Sequence, residues 1–125
     1  HVGFETMTLR KPTEDGMYAN QGASFHATDL SIDGCGSWGV FVDGTEGTLT
    51  DCRVTNCRDS GIMSHQGNAV IHIYGEKTEV TGNGTSFVDN GCELEATYSS
   101  SKIVLHAPLT KESISHADRR SILGR

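Results

Sequence analysis

The chain has 125 residues, with 15 glycines, 2 prolines and a formal net charge of −6. That length suits about one domain, and the acidic balance argues against nucleic acid as the main partner, because phosphate contacts need a basic face. No apolar run reaches the roughly 18 residues of a membrane-spanning helix, and many glycines with few aromatics suit short strands and tight turns rather than a helical bundle.

The elements begin with the alternating segment Met7-Thr8-Leu9. A polar turn from Arg10 to Asp15 follows, with Pro12 where no ladder donor is needed. Gly16-Met17-Tyr18-Ala19 comes next. The chain then says nearly the same thing twice. Leu30-Ser31-Ile32-Asp33-Gly34-Cys35 maps onto Cys52-Arg53-Val54-Thr55-Asn56-Cys57 with an offset of 22 residues. Gly39-Val40-Phe41-Val42 maps onto Gly61-Ile62-Met63-Ser64 with the same offset of 22, and the two opening segments precede their counterparts by 23. Self-similarity at such a period marks a repeat architecture.

Alternation assigns the inward side chains. Met7 and Leu9, Leu30 and Ile32, and Cys52 and Val54 make one apolar stripe. Met17 and Ala19, Val40 and Val42, and Ile62 and Ser64 make a second. A third, looser in register, runs through Phe25-His26-Ala27, Leu49 and Val70-Ile71-His72-Ile73. Three strands per period, each with two inward residues, describe a triangular coil rather than a flat sheet. Stacking then places Asp29 over Asp51 and Arg53 over Glu79 on the outside.

Beyond Gly61 the pattern continues through an insertion. Thr78-Glu79-Val80-Thr81 answers Cys52-Arg53-Val54-Thr55 at an offset of 26. Phe87-Val88 supplies the following face. The stretch from Asn90 to Lys102, with Ser99-Ser100-Ser101, reads as a loop, and Ile103-Val104-Leu105 reads as the first strand of a further coil after Val80. Regular coils therefore run to about residue 90. Thr110 is placed to cap a short helix after Pro108. The end of the chain holds Arg119, Arg120 and Arg125 with Ile122-Leu123, and reads as a solvated, frayed tail. The alternative is a docking segment that covers an open end of the coil.

The units Leu30 to Cys35 with Gly39 to Val42, and Cys52 to Cys57 with Gly61 to Met63, resemble the right-handed parallel β-helix group. Its members include pectate lyases, polygalacturonases, alginate epimerases and phage tailspikes. The resemblance covers about residues 1–90 and implies an all-β fold. The expected architecture is a short right-handed parallel β-helix, a three-faced solenoid of about four to five coils. It occupies residues 1–106, and an irregular C-terminal tail with helical character occupies residues 107–125. The segments Thr81-Gly82-Asn83-Gly84-Thr85, Ser99 to Ile103 and Ala107 to Ser115 are similar to runs in uncharacterised algal β-helix proteins. That group implies no activity.

No catalytic constellation stands out. Asn20, Asp43 and His65 fall in one column, where His65 beside Asp43 would serve as an oriented base and Tyr18 as a proton donor. Against this, Asn20-Gln21-Gly22, Asp43-Gly44 and His65-Gln66-Gly67 are ordinary turn chemistry. The Asp-Pro-His run of alginate epimerases and the Gly-His-Gly and Arg-x-Lys runs of polygalacturonases are missing from the sequence. Asp29, Asp33 and Asp51 are candidate Ca²⁺ ligands, with Arg53 and Lys77 competing for that charge, so solvated acids are favoured and no cofactor is expected. His26 and His72 flank apolar residues on the third stripe, where a metal site would need more ligands. Asn83-Gly84-Thr85 fits the glycosylation pattern and suits a turn equally well. Trp38 is read as a corner aromatic, with a sugar-stacking platform as the alternative.

Four cysteines, Cys35, Cys52, Cys57 and Cys92, form no CxxC pair. Cys35 and Cys57 stack within the Cα range a disulfide can span, roughly 4.4–6.8 Å, but parallel side chains at one corner seldom point at each other. Reduced thiols are expected. The chain starts at His1 rather than Met with no leader pattern behind it, which suggests a processed or trimmed start and leaves the compartment open.

The expected function is that of a non-enzymatic structural or interaction module, presenting a rigid face within a larger protein or assembly. Its expected partners are other protein subunits, or a missing part of the same chain, at the open coil ends. The alternative is a carbohydrate-binding or polysaccharide-modifying domain of the lyase or epimerase kind.

Overall fold

A computed structural model of the chain describes residues 2–10, 14–20, 23–84, 93–97, 100–115 and 122–124. In chain order the strands are β1 (Val2–Arg10), β2 (Met17–Ala19), β3 (Phe25–Asp33), β4 (Val40–Asp43), β5 (Glu46–Thr50) and β6 (Arg53–Thr55). Then come β7 (Ile62–His65), β8 (Val70–Tyr74), β9 (Glu79–Thr81), β10 (Leu94–Thr97) and β11 (Lys102–Leu105). A short helix α1 (Lys111–Ser115) and a last strand β12 (Ile122–Gly124) close the described chain. The protein is all-β with parallel sheets. One sheet has the order β11-β8-β5-β3-β6-β9, with β1 also on β3, and the other has the order β12-β10-β7-β4-β2.

The ladders keep the spacing of the sequence similarity. Val40 pairs Ile62 and Ser31 pairs Arg53, each 22 residues apart. Met17 pairs Val40 and Met7 pairs Leu30, each 23 apart. The loose third stripe also resolves: Phe25 pairs Gly47, Ala27 pairs Leu49, and Leu49 pairs Ile73.

Alternation buries residues of all three stripes, with Met17 partly buried. Leu30, Ile32, Val40, Val42, Leu49, Val54, Ile62, Ile71, Ile73 and Val80 are all buried and belong to one core cluster. Each contributes about 1.5–3 kcal/mol by removal from water.

Turning the chain between strands needs left-handed backbone, which L-residues resist unless they are Gly, Asp or Asn. Asp29, Asp51 and Gly75 supply it in one row (φ 56°, 53° and 98°), and Gly34, Asn56 and Gly82 in another (φ 74°, 58° and 70°). Asp29 thereby divides the long β3 into a part paired with β5 and a part paired with β6. A third row has no left-handed turn but a close approach. A Cβ on Gly16 would stand 2.7 Å from Gly39 O, one on Gly39 2.6 Å from Gly61 O, and one on Gly61 2.9 Å from Glu93 O.

Two expectations require correction. The stretch expected to be a loop contains β10, which pairs Leu94 with Ile62 at an offset of 32. Its Leu-Glu-Ala-Thr sequence is only four residues long, with Ala96 its second apolar residue, so the free ladder of β7 rather than a strong stripe of its own decides its state. The missed strand displaced the next one. Ile103 and Leu105 do not follow Val80 but pair Ile71 and Ile73, placing β11 on β8.

Thr110 caps α1 as expected, with the Ser113 N–H donating to its Oγ1 at 3.0 Å. Ile114 is fully buried, and α1 lies against β9. At the end of the chain, Ile122–Gly124 form β12 on β10 instead of fraying. Phe87, Val88 and Cys92 lie outside the described residues.

Candidate functional site

The candidate catalytic column is partly assembled. Asp43 and His65 are direct neighbours in the ladder of β4 and β7, and Asn20 lies exposed just past β2. The His65 ring, however, turns its Nδ1 to Thr97 Oγ1 at 2.6 Å, and the Asp43 carboxylate accepts from Gln66 Nε2 at 2.9 Å. Each group is thus engaged with a third residue. His65 also meets Phe41 edge to face, with centroids 5.5 Å apart.

That contact belongs to an aromatic row on the outer face of the second sheet. Tyr18 and Trp38 meet Phe41 at centroid distances of 5.3 and 4.9 Å, with interplanar angles of 73° and 82°. Trp38 is held by its backbone N–H, which donates to Asp15 Oδ1 at 3.1 Å. Burial raises the Asp15 pKa, against the stabilising Trp38 N–H and with a smaller push from Glu14. The rings meet Phe41 edge to face. Tyr18 alone of the row stays largely in solvent, at 55% exposure.

The three acids do not converge. Asp29 and Asp51 line a groove of about 520 Å³ with Arg53, Lys77, Glu79 and Ser113 of α1. Arg53 Nε and Glu79 Oε1 form the expected ion pair at 3.2 Å. Asp51 Oδ1 is engaged by the Lys77 N–H at 3.0 Å. Asp33 instead accepts from Thr55 Oγ1 at 2.8 Å and Asn56 Nδ2 at 2.9 Å, away from the groove lining. Among the described residues no three or more His, Cys, Asp or Glu side chains are grouped to hold a metal ion.

Asn83 is not a surface acceptor for a glycan. It is fully buried. Its Oδ1 accepts from the Cys57 N–H at 2.9 Å, and its Nδ2 donates to Val54 O at 3.0 Å and Glu93 Oε1 at 2.5 Å. Gly82 and Gly84 on either side have positive φ (70° and 75°), and the amide between them reaches inward to join adjacent strands.

Cys35, Cys52 and Cys57 are buried free thiols. A hydrogen bond with Cys57, then burial, holds the Cys35 thiol well above its usual range, and burial lifts that of Cys52. Enclosure keeps a thiol reagent from all three. In a Cys92→Ser variant the folded protein is therefore expected to give no reaction with DTNB, and the unfolded, unreduced protein three thiols. A single thiol after unfolding would mean that Cys35 and Cys57 are bridged.

A further cluster escapes sequence reasoning. Glu46, His72, Tyr74 and His106 meet on the outer face of β5, β8 and the end of β11. Glu46 Oε2 lies 3.2 Å from His72 Nε2, and His72 Nδ1 lies 3.0 Å from His106 Nε2. Tyr74 stacks on His106, 4.1 Å between centroids at 10°. The alternation around His72 signals its outward direction. His106 joins it only because β11 pairs with β8.

No family model, no curated protein and no solved structure matches the chain.

Proposed function

We propose that the chain forms a short right-handed parallel β-helix and works as a non-enzymatic interaction module, offering a rigid stack of strands to a protein subunit. Support for the coil comes from parallel ladders at offsets of 22 and 23, and from left-handed residues aligned in rows at the bends. The functional half rests on the two unlike ends. At one end α1 lies against β9. At the other, β1 pairs only β3 and β2 pairs only β4 among the described residues. Such edges carry unspent backbone donors and acceptors and act as templates for another strand.

A specific test uses Tyr18. The Met17 N–H donates to Gly39 O, just before β4, so strand alternation turns the Tyr18 N–H to the open edge. Self-association measured by sedimentation velocity is the readout, since a second copy is the simplest subunit to supply a strand. The wild type should associate with rising concentration. Tyr18→Ala, which keeps the N–H, should still associate, whereas Tyr18→Pro should remain monomeric. A wild type that is monomeric throughout, or equal behaviour of the two variants, would remove the edge from the proposal.

The carbohydrate reading draws on the aromatic row and the groove. It is weaker because the rings cross at 73°, 82° and 76°, and so form no flat shared platform for a sugar. A screen of acidic and neutral glycans, with and without Ca²⁺, should show no binding.

A further inference from the structure

The outer face of β8 and β11 carries two imidazoles in an arrangement that their fold role does not require. A carboxylate only accepts, so Glu46 beside His72 Nε2 at 3.2 Å fixes the His72 proton on Nε2. That leaves the Nδ1 lone pair facing His106 Nε2 at 3.0 Å. Two nitrogens in adjacent positions on one Zn²⁺-like ion, each about 2.0–2.1 Å from it, stand about 3.0–3.4 Å apart. The observed spacing falls in that span. A carboxylate behind the non-ligating nitrogen is also the usual outer partner of a metal-bound histidine. Tyr74, stacked on His106 at 4.1 Å, limits the tilt of the second ring.

We propose that His72 Nδ1 and His106 Nε2 bind one divalent transition-metal ion of the imidazole-preferring kind, Zn²⁺, Ni²⁺ or Cu²⁺. Glu46 orients His72 and is not itself a ligand. Solvent completes the coordination, since among the described residues no three His, Cys, Asp or Glu side chains are placed to hold one ion together. Binding moves the His106 proton from Nε2 to Nδ1 and releases none, so the two-nitrogen lone pairs can converge on the ion. The ion ties β11, which is an edge strand, to β8. It thereby stabilises the folded chain in proportion to its occupancy.

The test is titration of the full chain with NiCl₂ and ZnCl₂ by calorimetry, paired with thermal unfolding and ¹⁵N shifts of the histidine rings. Wild-type protein should bind one ion, melt higher with metal, and show His106 changing tautomer. His72→Ala and His106→Ala should each weaken binding at least tenfold and abolish the metal-induced rise in Tm. Glu46→Gln should weaken binding about tenfold, as loss of an outer partner does. His26→Ala is the control, because His26 lies in the same outward column two strands from His72 and should leave affinity unchanged. Circular dichroism of the metal-free variants separates lost ligands from lost fold. If folded His72→Ala and His106→Ala bind as tightly as wild type, or if wild type does not saturate below millimolar metal, the site does not exist.

Discussion

Gly39→Ala is expected to lower stability by about 3 kcal/mol or more, at the severe end for single substitutions. The added methyl would stand 2.2 Å from Val54 Cγ1 and 2.6 Å from Gly61 O. The first neighbour is a β-branched side chain in the core and the second is backbone. Neither can yield without moving the ladder that joins β4 to β7, where the Val40 N–H donates to Gly61 O at 2.8 Å. Gly3→Ala is the matched control, because a methyl there meets nothing within 4 Å. It should change stability by less than about 0.5 kcal/mol. Urea unfolding of the pair decides the matter. Equal midpoints would mean that the glycine row does not mark a close approach of backbones.

Removing the Asn83 amide is the second large effect, at about 3 kcal/mol for Asn83→Ala. The side chain is fully buried and bridges three groups: the Cys57 N–H, Val54 O and the Glu93 carboxylate. Each buried polar group stripped of a partner costs about 1–3 kcal/mol, and alanine can replace none of the three hydrogen bonds. Asn20→Ala, at an exposed position, should stay within about 0.5 kcal/mol of wild type. Chemical denaturation of both variants gives the comparison. A small effect at position 83 would show that the network repacks around the gap.

Legibility followed the strength of local patterning. Positions 30–33 and 52–55 alternate cleanly and are flanked by matching residues, Asp29 and Asp51 before and Cys35 and Cys57 after, so their pairing at an offset of 22 could be read directly. Leu94–Thr97 could not. Its neighbour Glu93 is fully buried and Glu95 is 9% exposed, with Ser60 Oγ donating to Glu95 Oε1 at 2.5 Å. Carboxylates satisfied by distant residues look, in sequence, like solvated ones. Missing that strand also misplaced Ile103–Leu105 by one face and separated His106 from His72. The candidate column suffered a different loss: register placed Asp43 beside His65 correctly, but the direction of each side chain depended on Thr97 and Gln66.

By itself, then, the sequence determined the all-β class, the 22-residue register, the inward stripes and the Thr110 cap, because each rests on near neighbours or on a period that repeats. Tertiary structure alone decided where the inserted strands dock, that Asn83 turns inward, that Asp33 stands apart from Asp29 and Asp51, and that Glu46, His72 and His106 meet. Those outcomes depend on which ladder edge is free and which buried group needs a partner. Neither is encoded within the segments concerned.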